Sequence, residues 1–298
     1  MTTAVDAAPD ETGRWRGFFR RRPVLMRLLR HKAFLIGFIL FGLVVLAAVF
    51  ADLITTADPA RISIRNRFKP PSLEHPLGTD NLGRSQLARI VHGARLSLAI
   101  GFAVVVLNAV FGVLLGAAAG YFKRFDNILM RATDALMAFP AVLLAIAIAA
   151  ALGASSLTAA IALSVVYIPR TARIVRASVL VVRELEFVQA AKAMGASHVR
   201  ILSKHILPNC MAPLIVQLTF IFAYAVLSEA VLSFLGLGAA PPTPTWGNII
   251  AEGRQYMREA AWITLVPGLA LAITVVGLNL LGDGLRDVLD PRLKVMQD

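Results

Sequence analysis

The sequence predicts an all-α membrane protein with six transmembrane helices. Of its 298 residues, 57% are hydrophobic and only 16% are charged, whereas soluble domains carry about 25% charge. Long apolar runs leave too little polar sequence for a separate soluble domain. The single cysteine, Cys210, excludes an internal disulfide and a set of soft metal ligands.

Six apolar runs approach the roughly 20 residues that cross about 30 Å of hydrocarbon. The expected spans are Ala33–Ala51, Ser97–Gly120, Ala135–Gly153, Leu157–Ile168, Met211–Leu235 and Trp262–Leu281. The first follows a basic N-terminal segment, residues 1–32, and is too long for the core of a signal peptide, so we expect it to remain uncleaved. The fourth is expected to end at Pro169, because proline lacks the backbone N–H that a helix needs.

The distribution of basic residues predicts the orientation of these spans. The predicted inner connections hold 21 of the 30 Lys and Arg residues and the outer connections hold 9. We therefore expect both termini in the cytosol, with residues 283–298 as a cytosolic tail. The net charge of +12 is explained by this orientation rather than by nucleic-acid binding. The inner segments are 1–32, 121–133, 170–209 and 283–298, and the outer segments are 52–96 and 237–261.

The first outer connection, residues 52–96, is expected to be irregular at its start and helical at its end. Turn-forming residues dominate its first part. Apolar residues then recur at helical spacing, with Arg84, Arg89 and Arg95 off the apolar stripe, which predicts an interfacial helix leading into the second span. The connection is either a solvated linker or a docking site for an extracytoplasmic partner.

A stripe of glycines predicts where the second span packs against another helix. Gly112, Gly116 and Gly120 follow one another at four-residue spacing, which lets a neighbouring helix approach closely. The stripe supports a packed bundle and carries no information about its activity.

Polar side chains within the spans are candidates for the translocation pathway, because they are costly in hydrocarbon. Asn108 is expected near the midplane, as a helix–helix hydrogen bond or a substrate contact. Glu229 is expected near the outer interface, where ionisation is cheap, as part of a gate or as a helix cap. Asn279 is expected near the inner face. Trp246 and Trp262 fit an aromatic belt at the membrane interface.

A polar, helix-forming stretch, residues 183–208, interrupts the apolar sequence. Its apolar residues recur at helical spacing up to Gly195, which is expected to adopt left-handed geometry and end a first helix. Ser197 is expected to cap a second helix that ends at Pro208. Both helices are too short and too polar to cross the membrane, and the charge distribution places them in the cytosol.

Two interpretations fit this stretch. It covers the ends of the spans, or it is a docking surface for another protein. A cover would not need the small residues Ala190, Ala191 and Gly195 at the turn, which would form a knob that fits a groove in a partner. We therefore favour a docking surface.

The same stretch resembles the EAA loop of ATP-binding-cassette importer permeases, whose pattern is EAA-x3-G-x9-I-x-LP. The resemblance implies a coupling helix seated in a cleft of an ATPase subunit. Gln189 replaces the glutamate of the family and removes a charge, and His205 replaces the isoleucine, a variant typical of the peptide-importer branch. The implied coupling residues are Glu186, Gln189, Ala190, Ala191, Gly195, His205, Leu207 and Pro208.

Three further stretches resemble the C-type permease of dipeptide and oligopeptide importers: His75–Leu98, Ser228–Arg254 and Asn279–Lys294. In the first, Ser85 replaces the aspartate usual after Leu-Gly-Arg. The resemblance implies a type I importer bundle in the bacterial plasma (inner) membrane, with a permease core over residues 97–282.

The resemblance also implies partners. These are a second, homologous permease forming a heterodimer, two cytosolic ATPase subunits or one fused pair, an extracytoplasmic substrate-binding protein and the lipid bilayer, with no nucleic acid. ATP and Mg would be bound by the ATPases, and this chain would hold no cofactor. The expected substrate is a dipeptide or oligopeptide, and the alternative is a nickel complex or another small solute.

Catalytic motifs are absent from the sequence. It contains no G-x-x-x-x-G-K-[ST], no H-E-x-x-H and no G-x-S-x-G, so we expect no enzyme activity, no catalytic residue and no metal site in this chain. A secondary transporter would show inverted repeats and charged residues at mid-membrane, and a channel would show a filter segment. The sequence shows neither the features of a secondary transporter nor the filter of a channel. A purely structural membrane scaffold, the third alternative, would not need the hinged stretch, residues 183–208.

Overall fold

The computed structural model describes residues 23–289, and most of them are helical. Residues 1–22 of the predicted N-terminal segment and residues 290–298 of the predicted tail lie outside the described residues. The helices are α1 (Pro23–Arg30), α2 (Lys32–Val49), α3 (Ala51–Ile54), α4 (Gln86–Leu107), α5 (Val113–Tyr121), α6 (Lys123–Met137), α7 (Ala141–Leu152), α8 (Ser156–Val182), α9 (Glu186–Ala193), α10 (His198–Arg200), α11 (Met211–Phe234), α12 (Trp246–Gly253) and α13 (Trp262–Leu289).

Helices α4 and α5 form one continuous run, Gln86–Tyr121, joined by a π turn over Asn108–Gly112. The run begins where Ser85 caps it, its hydroxyl accepting a hydrogen bond from the Ala88 backbone N–H. The expected interfacial helix is therefore the first part of the span itself. Its arginine Arg89 is only 1% exposed, because it is enclosed where it pairs with Asp80 and Glu252.

The predicted third span, residues 135–153, is broken. Helix α6 ends at Met137, and α7 starts after Pro140 at an angle of 91° to it. Proline at position 140 has no N–H to continue the helix. The 12 residues of α7 extend only about 18 Å, which is too short to cross the membrane alone.

The predicted end of the fourth span at Pro169 is wrong. Helix α8 continues through this proline to Val182 and is 27 residues long. Proline is tolerated within membrane helices, because neighbouring groups satisfy the backbone carbonyl that it leaves free. The consequence is that Arg170, Arg173 and Arg176 lie within a helix, whereas the sequence placed them in a connection.

Pro208 likewise does not end its helix. The run from α10 to α11 is continuous, His198–Phe234, and passes through a π turn over Ile201–Ile206 and a 3-10 turn over Leu207–Cys210. These two turns absorb the proline, which sits at the start of the 3-10 turn, where its missing N–H is not needed. The second helix of the polar stretch is thus the beginning of α11.

Buried side chains join the helices into one bundle. Helix α2 packs against α13, α5 against α8, and α11 against α4, α8 and α13. The largest apolar cluster lies among α4, α7, α8 and α11, and includes Leu163, Ile221 and Leu232. By length and composition, the described residues contain four helices able to cross a membrane, or five if α6 and α7 form one span. The expected number of six therefore stays a prediction.

Candidate functional site

The polar stretch forms a helical hairpin, residues 186–206, at one end of the bundle. Its first helix, α9, buries Val188 in a cluster with Ile201 and Ile206, which are 1% and 0% exposed, and Ala191 of the same helix is also buried. Neighbouring apolar side chains point outward instead, and Met194 is 83% exposed. One face of the hairpin is therefore fixed to the bundle, and the other is open.

A tight, hydrogen-bonded turn joins the two arms of the hairpin. Gly195 has a φ of +80°, and its N–H donates to the carbonyl of Lys192 at 3.0 Å, while the N–H of Ala196 donates to that of Ala191 at 3.1 Å. This pair of bonds is the Schellman motif. Ser197 then caps α10 by accepting from the Arg200 N–H, as the sequence predicts.

Two hydrogen bonds attach the hairpin to neighbouring residues, and a third joins Arg183, the acceptor in one of them, to the end of α5. The Tyr121 hydroxyl, at the end of α5, lies 2.9 Å from Nδ1 of His198. The Gln189 amide nitrogen donates to the Arg183 carbonyl at 2.8 Å, and Arg183 Nη1 donates to the Gly120 carbonyl at 2.7 Å. The uncharged Gln189 therefore serves as a donor to the chain that precedes its own helix, which a glutamate could not do.

The expected coupling residues divide between the two faces. Glu186, Gln189, Ala190, Gly195 and Pro208 are exposed. His205 and Leu207 are partly exposed, and Ala191 is only 5% exposed. The knob expected from three small residues is thus made by two, because Ala191 is buried.

The glycine stripe lies against α8. A side chain at Gly112 would meet Thr171, and one at Gly116 would approach the Ala172 carbonyl oxygen to 2.5 Å. At Gly120 it would meet Val179. All three positions therefore lie where α5 and α8 are in backbone contact.

The polar candidates for the pathway are mostly enclosed by protein. Asn108 is 0% exposed, donates to the Val104 carbonyl at 2.9 Å and lies 3.3 Å from the Thr171 hydroxyl, which fits the helix–helix hydrogen bond. Glu229 is also 0% exposed and accepts from Ser233 at 2.6 Å, unlike the accessible position expected of it. Asn279 is partly exposed.

A cluster of ion pairs lies at the opposite end of the bundle. Arg89 donates to Asp80 at 2.7 Å and to Glu252 at 2.8 and 3.1 Å. Arg84 bonds to the same two carboxylates. These groups connect the start of α4 with α12, so the basic residues of the first connection serve packing. Trp246 there is only 1% exposed, whereas the sequence placed it in an interfacial belt.

One charged residue was missed by the sequence interpretation. Arg170 lies at the middle of α8, with its guanidinium 5.5 Å from the ring centre of Tyr167 and 5.7 Å from that of Tyr224 on α11. The sequence placed Arg170 in a connection because the fourth span was expected to end at Pro169, whereas the helix continues past this proline. Continuing the helix past the proline would have found it.

Comparison with known families identifies the class of protein. Residues 109–295 match the family model of the binding-protein-dependent transport system inner membrane component, and residues 14–71 match the N-terminal TM domain of oligopeptide transport permease C. The chain therefore belongs to the family of binding-protein-dependent transport system inner membrane components. The predicted permease of an ATP-binding-cassette importer is confirmed, and with it a location in the inner membrane. Among residues 23–289, no three His, Cys, Asp or Glu side chains group as a metal site.

Individual relatives agree with this assignment. The chain is 56% identical over 278 residues to a putative peptide transport system permease protein of Brucella abortus, covering 92% of this chain and 94% of that protein. It is 45% identical to the dipeptide transport system permease protein DppC of Alkalihalophilus pseudofirmus, covering 99% and 97%. A chain of the MetNI methionine ABC transporter in an inward facing conformation has a TM-score of 0.54 at 20% identity, covering 67% of this chain and 96% of that one. This last likeness supports the fold.

Proposed function

We propose that this chain is one of two permease subunits of an ATP-driven importer of dipeptides or oligopeptides. The relatives described above are named for peptide and dipeptide transport, which supports the substrate class. The observation that carries the coupling role is the hairpin, because its outer face exposes Phe187 and Met194 at 44% and 83% while its inner face is fixed to the bundle. The alternative cargo is a nickel complex or another small solute.

The hairpin is connected to two helices of the bundle, so that a movement of the hairpin is transmitted to both. Its second arm continues without a break into α11, and its first arm follows α8 after a short turn. A partner that moves the hairpin would therefore move two helices that both reach the middle of the bundle. Such coupling needs an element that moves as a unit, and the Schellman turn with its buried inner face provides one.

The proposed arrangement has the hairpin and both termini in the cytosol. Two ATPase subunits, or one fused pair, bind ATP and Mg and hold the hairpin in a cleft. A second, homologous permease completes the pathway, and an extracytoplasmic binding protein delivers the peptide. The exposed residues Glu186, Gln189, Ala190 and Gly195 form the contact with the ATPase.

A charge placed on the open face tests this arrangement. Met194→Asp should abolish co-purification of the ATPase subunits and peptide uptake, because the carboxylate would be buried at the interface without a partner. The matched control is Leu73→Asp, which alters an apolar side chain that is 104% exposed on the connection at the other end of the bundle. It should retain ATPase binding.

Deleting residues 186–205 should likewise release the ATPases, whereas Gly195→Ala should retain them. The proposal is wrong if Met194→Asp binds ATPase as the wild type does. Labelling of Lys192 and Lys204 only from the extracytoplasmic side would also exclude it. Uptake of labelled dipeptide in a strain lacking the gene tests the cargo separately, and unchanged dipeptide uptake with loss of another solute would favour the alternative.

A further inference from the structure

Arg170 is a charged residue placed deep in the bundle. Counting along the helices, Arg170 lies 14 residues from the start of α8 at Ser156, or about 21 Å, and Tyr224 lies 10 residues from the end of α11 at Phe234, or about 15 Å. With the predicted orientation, which puts Ser156 and Phe234 at the outer face, both distances fall in the middle to inner part of a hydrocarbon layer about 30 Å thick.

The Arg170 side chain has no carboxylate partner there. Among residues 23–289, its close contacts are with aromatic rings, those of Tyr167 and Tyr224, and no Asp or Glu lies within ion-pair distance. The next arginine on the same helix differs, since Arg173 is 2.6 Å from Asp134. An unpaired charge at this depth is costly in lipid, and such residues face a bundle interior or a water-filled cavity and mark the pathway of a substrate or ion.

The two tyrosines hold the guanidinium at the surface of the chain. Tyr167 is 3% exposed, and its hydroxyl lies 2.8 Å from that of Ser228. Its ring stacks with that of Tyr224, 6.4 Å away, and Tyr224 is 48% exposed. One aromatic side chain thus anchors the arginine and the other remains open beside it, leaving guanidinium N–H groups available to an acceptor.

A cavity leads from the hairpin end of the bundle toward this pair. It has a volume of about 780 Å³ and is lined by residues of α8, α11 and α13. Its wall includes Ile174 and Phe220, each four residues from Arg170 or Tyr224 and therefore on the same helix faces. Arg170 and Tyr224 lie one helical turn beyond this lining, and the charged side chain within the lining is Arg286.

We infer that Arg170, with Tyr224, is a binding site for a carboxylate of the transported peptide, one helical turn beyond the lining of this cavity. The site rests on the proposed function, because a peptide carries a terminal carboxylate that an arginine binds through two parallel hydrogen bonds. It gives the cargo one charged contact midway through the membrane, and the exposed Tyr224 ring forms the wall beside it.

The first test compares two arginines on one helix. The complete transporter is reconstituted with its partner permease, ATPases and binding protein, and uptake of labelled dialanine is measured. Arg170→Gln should lower uptake about tenfold, the effect of losing one charged hydrogen-bond partner, with binding-protein-stimulated ATP hydrolysis retained. Arg173→Gln removes the same charge three residues away and should transport within about twofold of wild type, since Arg173 is already paired with Asp134 and is not free to bind the cargo.

The second test measures the positive charge beside position 224 and the access of water to it. The only cysteine is Cys210, so Cys210→Ser with Tyr224→Cys leaves one thiol beside Arg170. An anionic methanethiosulfonate should label it several-fold faster than a cationic one, and adding Arg170→Gln, but not Arg173→Gln, should remove that preference. Dialanine should slow the labelling, and dialanine amide, which lacks the carboxylate, should not.

Four results of these tests would contradict the carboxylate site at Arg170. No labelling by either reagent would place the residue against lipid or protein and overturn the site. Equal slowing by dialanine and its amide would overturn the carboxylate specificity. If wild-type transporter takes up dialanine and Arg170→Gln does so equally, this inference alone is wrong. If the wild type does not take up dialanine, the proposed peptide transport fails and the inference fails with it.

Discussion

The two ends of the bundle are constructed in different ways. At one end, Arg89 and Asp80 are 1% and 0% exposed and are joined to Arg84 and Glu252 in one ion-pair cluster. At the other end, the hairpin exposes most of its side chains and is attached through its buried face and a few hydrogen bonds. Buried, mutually satisfied charges fix one geometry, whereas an element with an open face can be moved by a partner. The end with the ion-pair cluster is therefore the rigid end, and the end with the hairpin is the one that a partner can move.

The largest expected effect comes from breaking the ion-pair cluster. Arg89→Ala should lower the free energy of unfolding by about 3 to 5 kcal/mol, because it leaves the buried Asp80 and the partly buried Glu252 with one arginine between them. The control is Arg173→Ala, whose exposed pair with Asp134 should contribute at most about 1 kcal/mol. Thermal unfolding in detergent measures both, and equal losses would contradict a rigid end held by buried charge.

Two glycines with similar backbone geometry, one at each end of the bundle, differ in the space around them. Gly83 has a φ of +72° and Gly195 one of +80°. A side chain at Gly83 would lie 1.8 Å from the Ser63 carbonyl oxygen, while one at Gly195 would have no atom within 4 Å among residues 23–289 other than those of its chain neighbours.

Gly195→Ala should therefore cost only the backbone strain of left-handed geometry, about 1 to 2 kcal/mol. Gly83→Ala adds a steric clash of about 1 to 3 kcal/mol and should be the more damaging of the two. Unfolding measurements on the pair give the difference, and the comparison would be weakened if Gly195→Ala proved the worse.

The attachment of the hairpin to α5 should have a smaller effect. Tyr121→Phe keeps the ring packed on His198, 5.6 Å between ring centres, but removes the hydroxyl 2.9 Å from Nδ1. We expect a loss of about 1 kcal/mol, seen as faster hydrogen exchange in α9 and α10 with unchanged exchange at the start of α4. Faster exchange at both ends would show that the hairpin does not move independently.

The smallest expected effect concerns an exposed ion pair at the rigid end. Hydrogen bonds from Arg95 and then from His92 lower the pKa of Asp52 below its usual range. A lowered pKa stabilises the folded state above the usual Asp range, and this contribution is lost as the pH falls through the lowered value. Asp52→Asn should therefore melt close to the wild type at pH 7 and lose less stability on acidification below about pH 4, measured by melting temperature against pH. A larger effect at pH 7 than that of Tyr121→Phe would show that exposed charge, and not only buried charge, holds the rigid end together.

The structure of the hairpin could be predicted only in part from the sequence. The glycine turn and the Ser197 cap follow from local rules of helix ends, so their geometry could be predicted residue by residue. The burial of Ala191 could not, because which face of a short helix turns inward depends on what packs beneath it. The helix ends predicted at Pro169 and Pro208 were wrong for the same reason. A proline ends an isolated helix, but it is tolerated where neighbouring helices or a local change of turn type accommodate it.

The sequence by itself determined the class of the protein, the glycine stripe, the hinge at Gly195 and the resemblance that identifies the family, because these depend on composition and on residues close together in the chain. Contacts between distant helices make Arg89 a buried ion-pair partner, enclose Glu229 and place Arg170 beside Tyr224, with no carboxylate within ion-pair distance of it among residues 23–289. Whether a charge is paired, solvated or poised to bind a ligand depends on groups brought together from distant parts of the chain, and no local pattern specifies them.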